Sequence, residues 1–272
     1  MNYNTILPSA DLDSFVKCYW TLEGPAYPNP EKQRIVPDGC MEMIFHCGDL
    51  YEQYFEDGSH IVQPKAFVFG QITKPLEIRQ TGKTAIFAIR FHPHGFVPFI
   101  SVPASTMENR AVPLPELFGA KGEQLEKEIL AAATTVERIK LLETFLINCL
   151  VNEEAVDRLI KSSIETMLTL NGQMSVAALS KELAINRRQL ERKFATLVGL
   201  SPKQLAKIFR LQATLKTLLL KGQAPSLTVI AYTGDYFDQA HFIKDFKEFT
   251  GVTPKKFYAG NLTMSTLFAT FE

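Results

Sequence analysis

The sequence predicts a multidomain α+β chain: a β-rich barrel or sandwich over residues 1–120, a helical linker region over 121–171, an all-α domain with two helix-turn-helix motifs over 172–260, and a tail over 261–272. Three observations predict it. Short apolar runs broken by proline and glycine fill the first hundred or so residues, the apolar period then becomes that of helices, and a motif recurs at a fixed offset near the end.

In the first part, strands are expected over 41–46 after the Pro37-Asp38-Gly39 turn, over 65–69 before Gly70, and over 84–91. Runs this short, with no helix-length segment between them, cannot make the crossovers that parallel strands need. Antiparallel sheet is therefore the expected class. From about Gly122 the helices begin. Thr134 and Glu137 have capping-box spacing, and Ile139, Leu142, Phe145, Leu146 and Cys149 follow on one stripe. A second helix is expected over 153–170, capped by Asn152 and stopped at Asn171-Gly172. These helices suit a link between domains or a dimer contact.

In the last hundred residues Phe194, Gly199, Ser201-Pro202 and Leu205 recur as Phe246, Gly251, Thr253-Pro254 and Phe257, at a constant offset of 52. Each copy reads as two short helices followed by another. Ser175 caps the first helix and Asn186 the second, whose buried stripe is Leu190, Phe194 and Leu197; Gly199 stops it, and Ser201 with Pro202 opens the next. In the second copy Ser226 caps a helix over 227–233, and Asp238 caps one whose stripe is Phe242, Phe246 and Phe249. At 100° per residue, Arg188, Arg192 and Ala195 face away from the first stripe with Glu191 on the flank, and Ala240, Lys244 and Lys247 face away from the second with Ile243 on the flank. A single helix over 202–221 would be about 30 Å long at ~1.5 Å per residue. Major-groove openings on one face of a duplex are ~34 Å apart, so such a helix could hold two recognition helices in adjacent grooves.

Composition is that of an ordinary globular protein: 272 residues, 46% hydrophobic and 21% charged. The four cysteines, Cys18, Cys40, Cys47 and Cys149, have no paired spacing, and no apolar run approaches the ~20 residues that span a bilayer. No basic stretch leading into an apolar core opens the sequence, so a soluble, cytoplasmic protein is expected. The net charge of zero conceals an asymmetry. Residues 172–260 hold fourteen Lys and Arg against six Asp and Glu, a net of +8 that leaves −8 for the rest, the pattern of an electrostatic footprint on one domain.

The stretch from Val176 to Phe257, with Ala231, Asp238-Gln239-Ala240-His241-Phe242 and Gly251-Val252-Thr253-Pro254, resembles the DNA-binding domain of the AraC/XylS family. The resemblance covers about a third of the chain. It implies a transcriptional regulator whose two motifs bind adjacent major grooves and whose N-terminal domain senses an effector or mediates dimerisation. The family usually has glycine where this chain has Asp235, with Gly234 one place earlier; aspartate tolerates the left-handed conformation better than most residues. Val36-Pro37-Asp38-Gly39-Cys40, Arg90-Phe91-His92-Pro93 and Val112-Pro113-Leu114 resemble one AraC-type subgroup and imply a cupin-like or related β sensor domain.

The expected DNA-contacting residues are Arg187, Arg188, Glu191 and Arg192 in the first motif and Gln239, Ala240, His241 and Lys244 in the second. Lys203, Lys207, Lys255 and Lys256 follow the Ser-Pro and Thr-Pro caps, where phosphate contact is natural. His241 lies toward the side of its helix and could pack instead. Arg90 alternates with Phe87, Ile89 and Phe91 and is the candidate ligand contact. His46, His60, His92 and His94 lack carboxylates at a supporting spacing, so no metal and no cofactor are expected. Trp20, Phe45, Phe67 and Phe69 are expected in the core. Double-stranded DNA is the expected partner, with a small-molecule effector, RNA polymerase and a second copy in a homodimer as candidates, and no membrane. Two other readings stand beside this one: a DNA-targeted enzyme using Cys40 as nucleophile, and a constitutive DNA-binding module.

Overall fold

A computed structural model describes residues 1–150, 157–220, 234 and 236–258. Its strands are β1 (Asn2–Ile6), β2 (Val16–Gly24), β3 (Gln33–Ile35), β4 (Glu42–His46), β5 (Tyr51–Tyr54), β6 (His60–Val62), β7 (Ala66–Phe69), β8 (Leu76–Gln80), β9 (Thr84–Phe91) and β10 (Ala111–Pro113). They form a six-stranded sheet in the order β1-β2-β9-β4-β7-β10 and a four-stranded sheet in the order β3-β8-β5-β6, with antiparallel pairing throughout. The sheets pack face to face as a sandwich, and neither closes into a barrel.

β9 shows how the period of two builds this domain. Phe87, Ile89 and Phe91 point to one face, into a core with Tyr19, Met43 and Phe45. Ile86 and Ala88 point to the other, into a core between the sheets with Trp20, Leu22, Tyr51 and Ile78. Both faces of the large sheet are therefore covered. α1 (Leu114–Phe118), α2 (Ala120–Ala131) and α3 (Thr135–Cys149) close the first face through Leu114, Leu125, Ile129, Leu142 and Leu146. α3 begins with the capping box its sequence predicts: Thr134 accepts from the Glu137 amide, and the Glu137 carboxylate accepts from the Thr134 amide.

The helical domain contains α4 (Arg158–Thr169), α5 (Val176–Glu182), α6 (Arg187–Leu197), α7 (Pro202–Leu220), α8 (Gln239–Thr250) and α9 (Pro254–Tyr258). α2 and α3 belong to the β-domain core, whereas Ile160, Ile164 and Met167 of α4 belong to the core of the helical domain, so the 121–171 segment is divided between the two. Within the stretch expected as a helix over 153–170, α4 is capped by Asp157, which accepts from the amides of Leu159 and Ile160. Its stop is as expected: Asn171 and Gly172 have φ of 48° and 70°, and the Gly172 amide returns to the Met167 carbonyl at 2.8 Å. Asn152, the Ser226-capped helix over 227–233, Asp235 and the tail over 261–272 lie outside the described residues.

The two domains meet on the turn before β4. Val36 of the β domain sits in the helical core, and Gln212 of α7 donates to the Pro37 carbonyl at 2.6 Å. Gly39 has φ +83°, and a Cβ there would lie 2.8 Å from Leu205 Cδ1 and 3.2 Å from the Phe209 ring. Gly58 has φ +84° but nothing within 4 Å of such a Cβ. Gly39→Ala therefore meets both backbone strain and a seam clash, and Gly58→Ala the strain alone, about 1–2 kcal/mol. Urea unfolding should show the larger loss for Gly39→Ala; equal losses would mean that the seam yields freely.

Candidate DNA-binding surface and interior cavity

The first helix-turn-helix unit is held by local bonds that its sequence specifies. Ser175 Oγ accepts from the Ala178 amide at 3.1 Å to start α5, and Asn186 Oδ1 accepts from the Arg188 amide at 2.9 Å to start α6. Between them Ser180 Oγ donates to the Ile185 carbonyl at 2.6 Å, and Ala184 takes the left-handed conformation at φ +49°. Leu190 and Phe194 are fully buried; Val198 joins them, with Leu197 only half-buried at the edge. Arg188, Gln189, Arg192, Ala195 and Thr196 are exposed on the opposite face. Arg187 is also exposed and donates to Glu191 Oε1 at 3.0 Å, a pair one turn apart. Gln189 was not singled out from the sequence, although helical rotation also turns it outward.

α7 opens as Ser201-Pro202 predicts. Ser201 Oγ accepts from the Gln204 amide at 3.2 Å, while Gln204 Oε1 accepts from the Ser201 amide at 3.0 Å. The helix has 19 residues, about 28 Å at ~1.5 Å per residue. α8 is capped by Asp238 Oδ1, which accepts from the His241 amide at 2.7 Å, and Phe242, Phe246 and Phe249 are buried. Gln239, Ala240, Lys244 and Lys247 are exposed.

Two expected contacts are drawn inward. His241 is half-buried edge-on against Tyr236, with Nε2 3.5 Å from Asp245 and Nδ1 accepting from the Phe237 amide at 3.3 Å. Lys207 of α7 donates to Asp245 Oδ1 and Glu248 Oε2 of α8, both at 3.0 Å, across the helix interface. Burial disfavours the Lys207 charge, but those two carboxylates more than offset it and hold its pKa above the usual lysine value. Lys203, Lys255 and Lys256 remain exposed. A cleft there is lined by Arg187, Lys203, Lys207, Arg210, His241 and Lys244 together with the carboxylates Asp245 and Glu248.

α6 and α8 both end against the β domain. A Cβ on Gly199, after α6, would lie 3.1 Å from the Ala104 carbonyl, and one on Gly251, after α8, 3.2 Å from Pro75.

The β domain encloses a cavity of about 70 Å³ between its sheets. Trp20, Ile44, Phe69, Ile78 and Ile86 form apolar walls, and Gln212, Leu215 and Phe257 of the helical domain close one end. Arg90 lies in this wall, 4% exposed. The strand register places it directly opposite Glu42; its Nε donates to Glu42 Oε1 at 2.7 Å, and Asp38 Oδ2 is 3.5 Å away. Trp20 Nε1 donates to the same Glu42 oxygen at 3.1 Å. Burial raises the Glu42 pKa, and the Arg90 charge pulls the other way. Phe45 and Phe67 are core residues as expected, but Trp20 and Phe69 also line the cavity. Sequence reasoning missed His46 as a cavity residue; its alternation along β4 with inward-facing Ile44 was the available signal. Cys40 is buried and its amide is fixed by Asp38 Oδ1 at 2.9 Å.

Residues 4–113 match a domain of unknown function (DUF6597), and residues 179–259 match a helix-turn-helix domain. No curated protein matches the chain. Among solved structures, ToxT from Vibrio cholerae is similar at 11% identity and a TM-score of 0.48, covering 89% of this chain and 98% of that one. Unsaturated fatty acid-bound ToxT from Vibrio cholerae strain SCE256 is similar at 10% identity and 0.44, covering 87% and 92%. The AraC-like transcriptional activator CuxR is similar at 14% identity and 0.31, covering 85% and 90%. No helix among the described residues is long and apolar enough to cross a membrane.

Lys207→Met removes the cation shared by Asp245 and Glu248 and should lower stability by about 1–3 kcal/mol, the usual cost of stranding a charged hydrogen-bond partner. A urea midpoint equal to that of the parent would show that the clamp contributes nothing and leave the lysine available to a phosphate.

Proposed function

We propose that the chain is a DNA-binding transcription regulator of the AraC type and that it reads two adjacent major grooves of one duplex with residues 187–198 and 239–250. The observation that carries this reading is the same one twice: a capped helix with its aromatic or aliphatic stripe buried and a basic, polar face exposed, joined to its copy by the single 19-residue α7. Arg188 and Arg192 are the base-reading side chains of the first helix, since they are long, exposed and opposite Leu190. Gln239 and Lys244, beside Ala240, take that part in the second. Arg187 and Glu191 lie on the flank of α6, where their mutual pair sets the arginine for a backbone contact. Lys203, Lys255 and Lys256 sit at helix starts and serve phosphates. His241 and Lys207 hold α8 in place.

The β domain, over 1–120 with the helices packed on it, is the regulatory part of this reading. Its cavity is closed by residues of the DNA-binding domain, so a bound small molecule touches both. A second copy of the chain and RNA polymerase are further candidate partners. The enzyme reading has less support, because Cys40 is buried, which does not suit a nucleophile that must meet a substrate.

Full-length protein should bind duplex DNA with log K falling against log salt at a slope of about −5 if it neutralises about six phosphates, at ~0.9 per phosphate. A slope near zero, or no binding at low salt, sinks the reading. On a selected operator, Arg188→Ala and Arg192→Ala should each cost ~1–3 kcal/mol and relax sequence preference, while Lys255→Ala weakens operator and random duplexes alike. Parallel losses on random DNA for all three variants would reassign the arginines to the backbone.

A further inference from the structure

The polar groups in the cavity wall are almost entirely occupied by one another. Arg90 is held by Glu42 and Asp38, Trp20 Nε1 by Glu42, the Tyr51 hydroxyl by Thr84 Oγ1 at 2.8 Å, and Gln212 by the Pro37 carbonyl. The exception is His46. Its ring is 4% exposed and stacks on Tyr51 at 5.5 Å between centroids. Gln63 Nε2 donates to Gln53 Oε1 at 3.4 Å, which turns Gln63 Oε1 toward His46 Nε2 at 3.2 Å. An amide oxygen only accepts, so Nε2 carries the ring proton and Nδ1 is an acceptor. Among the described residues that line the cavity, His46 Nδ1 is the buried polar atom without a hydrogen-bond partner.

Charge narrows what can enter. The charged lining groups are Arg90, Asp38 and Glu42, and the one cation already faces two carboxylates. An incoming carboxylate would have to displace one of them and leave it buried without a counter-charge, a costly exchange. An ammonium would lose its hydration against walls that are mostly apolar, with both carboxylates already engaged by Arg90. Size narrows it further. About 70 Å³ is room for roughly five waters at ~10–15 Å³ each, the bulk of one small ring. The walls around it include the rings of Trp20, Phe69 and Phe257.

We propose that the cavity takes a small uncharged ring compound bearing one hydroxyl or N–H group, which donates to His46 Nδ1, and that it rejects carboxylates and amines of the same size. This rests on the reading of the cavity as the effector site. Burial lowers the His46 pKa to about 4, so the acceptor is available throughout the neutral range.

Calorimetric titration of the full-length protein with phenol, benzene, benzoate and benzylamine tests it. Phenol should bind at least tenfold more tightly than benzene, and benzoate and benzylamine should not bind. His46→Phe should erase the preference of phenol over benzene. Should that variant fail to fold, ¹⁵N spectra of the histidine rings in the parent protein supply the same test: the His46 Nδ1 resonance should move with phenol and not with benzene. Benzoate or benzylamine binding as tightly as phenol overturns the uncharged class while leaving the cavity a ligand site. Equal binding of phenol and benzene, or an unmoved Nδ1 resonance, overturns the role of His46. If none of the four compounds binds, the effector reading of the cavity fails with the proposal.

Discussion

The arrangement of the whole molecule depends on how α7 sits on the turn from Val36 to Cys40. Gly39 has no side chain, and that lets Leu205 and Phe209 reach the turn backbone; the Gln212 amide then fixes the register through the Pro37 carbonyl. α7 also packs against α6 and α8, and each of these ends on a glycine pressed against the β domain, Gly199 on Ala104 and Gly251 on Pro75. The β domain thus touches α7 and the C-terminal ends of α6 and α8. Close-packed contacts of this kind transmit strain rather than absorb it.

The interior of the sandwich follows a similar logic. Pairing β4 with β9 in their register sets Glu42 opposite Arg90, and the period of two turns both side chains into the space between the sheets. Buried ion pairs of this kind contribute little net stability but are costly to break. Their consequence here is chemical: with Arg90 already satisfied, the cavity wall is mostly apolar, and His46 Nδ1 beside it is left without a hydrogen-bond partner. The ring stacking of His46 on Tyr51 and the bond to Gln63 fix where that acceptor points.

Charge in the helical domain is divided between holding the fold and facing solvent. Lys193 of α6 pairs with the α4 cap Asp157, and Lys207 ties α7 to α8. Burial works against the Asp157 charge, yet Lys193 and the two capped amides keep its pKa below the usual aspartate value. The excess of +8 over 172–260 therefore overstates the charge free to meet DNA, and the exposed share lies on the outer faces of α6 and α8 and in the cleft between them.

What the sequence by itself determined is what depends on neighbours within one helical turn or one strand. The caps at Ser175, Asn186, Ser201 and Asp238, the capping box at Thr134, the glycine stops, the strand over 84–91 and the buried stripes of α6 and α8 all follow from periods and from side chains three or four residues away. The repeat at an offset of 52 made the pairing of the two units legible as well. Only the tertiary structure decided the rest. Whether Lys207 faces a phosphate or Asp245, whether Arg90 faces solvent or Glu42, and whether His46 is core or cavity wall turn on residues 38, 48 and 17 positions away. The same holds for the division of the helical segment, since α3 and α4 each carry an apolar stripe and join different cores by the sheet or helices they meet. Periodicity reports which face of an element is apolar; it does not report what covers that face, because burial is settled by long-range packing that no local spacing encodes.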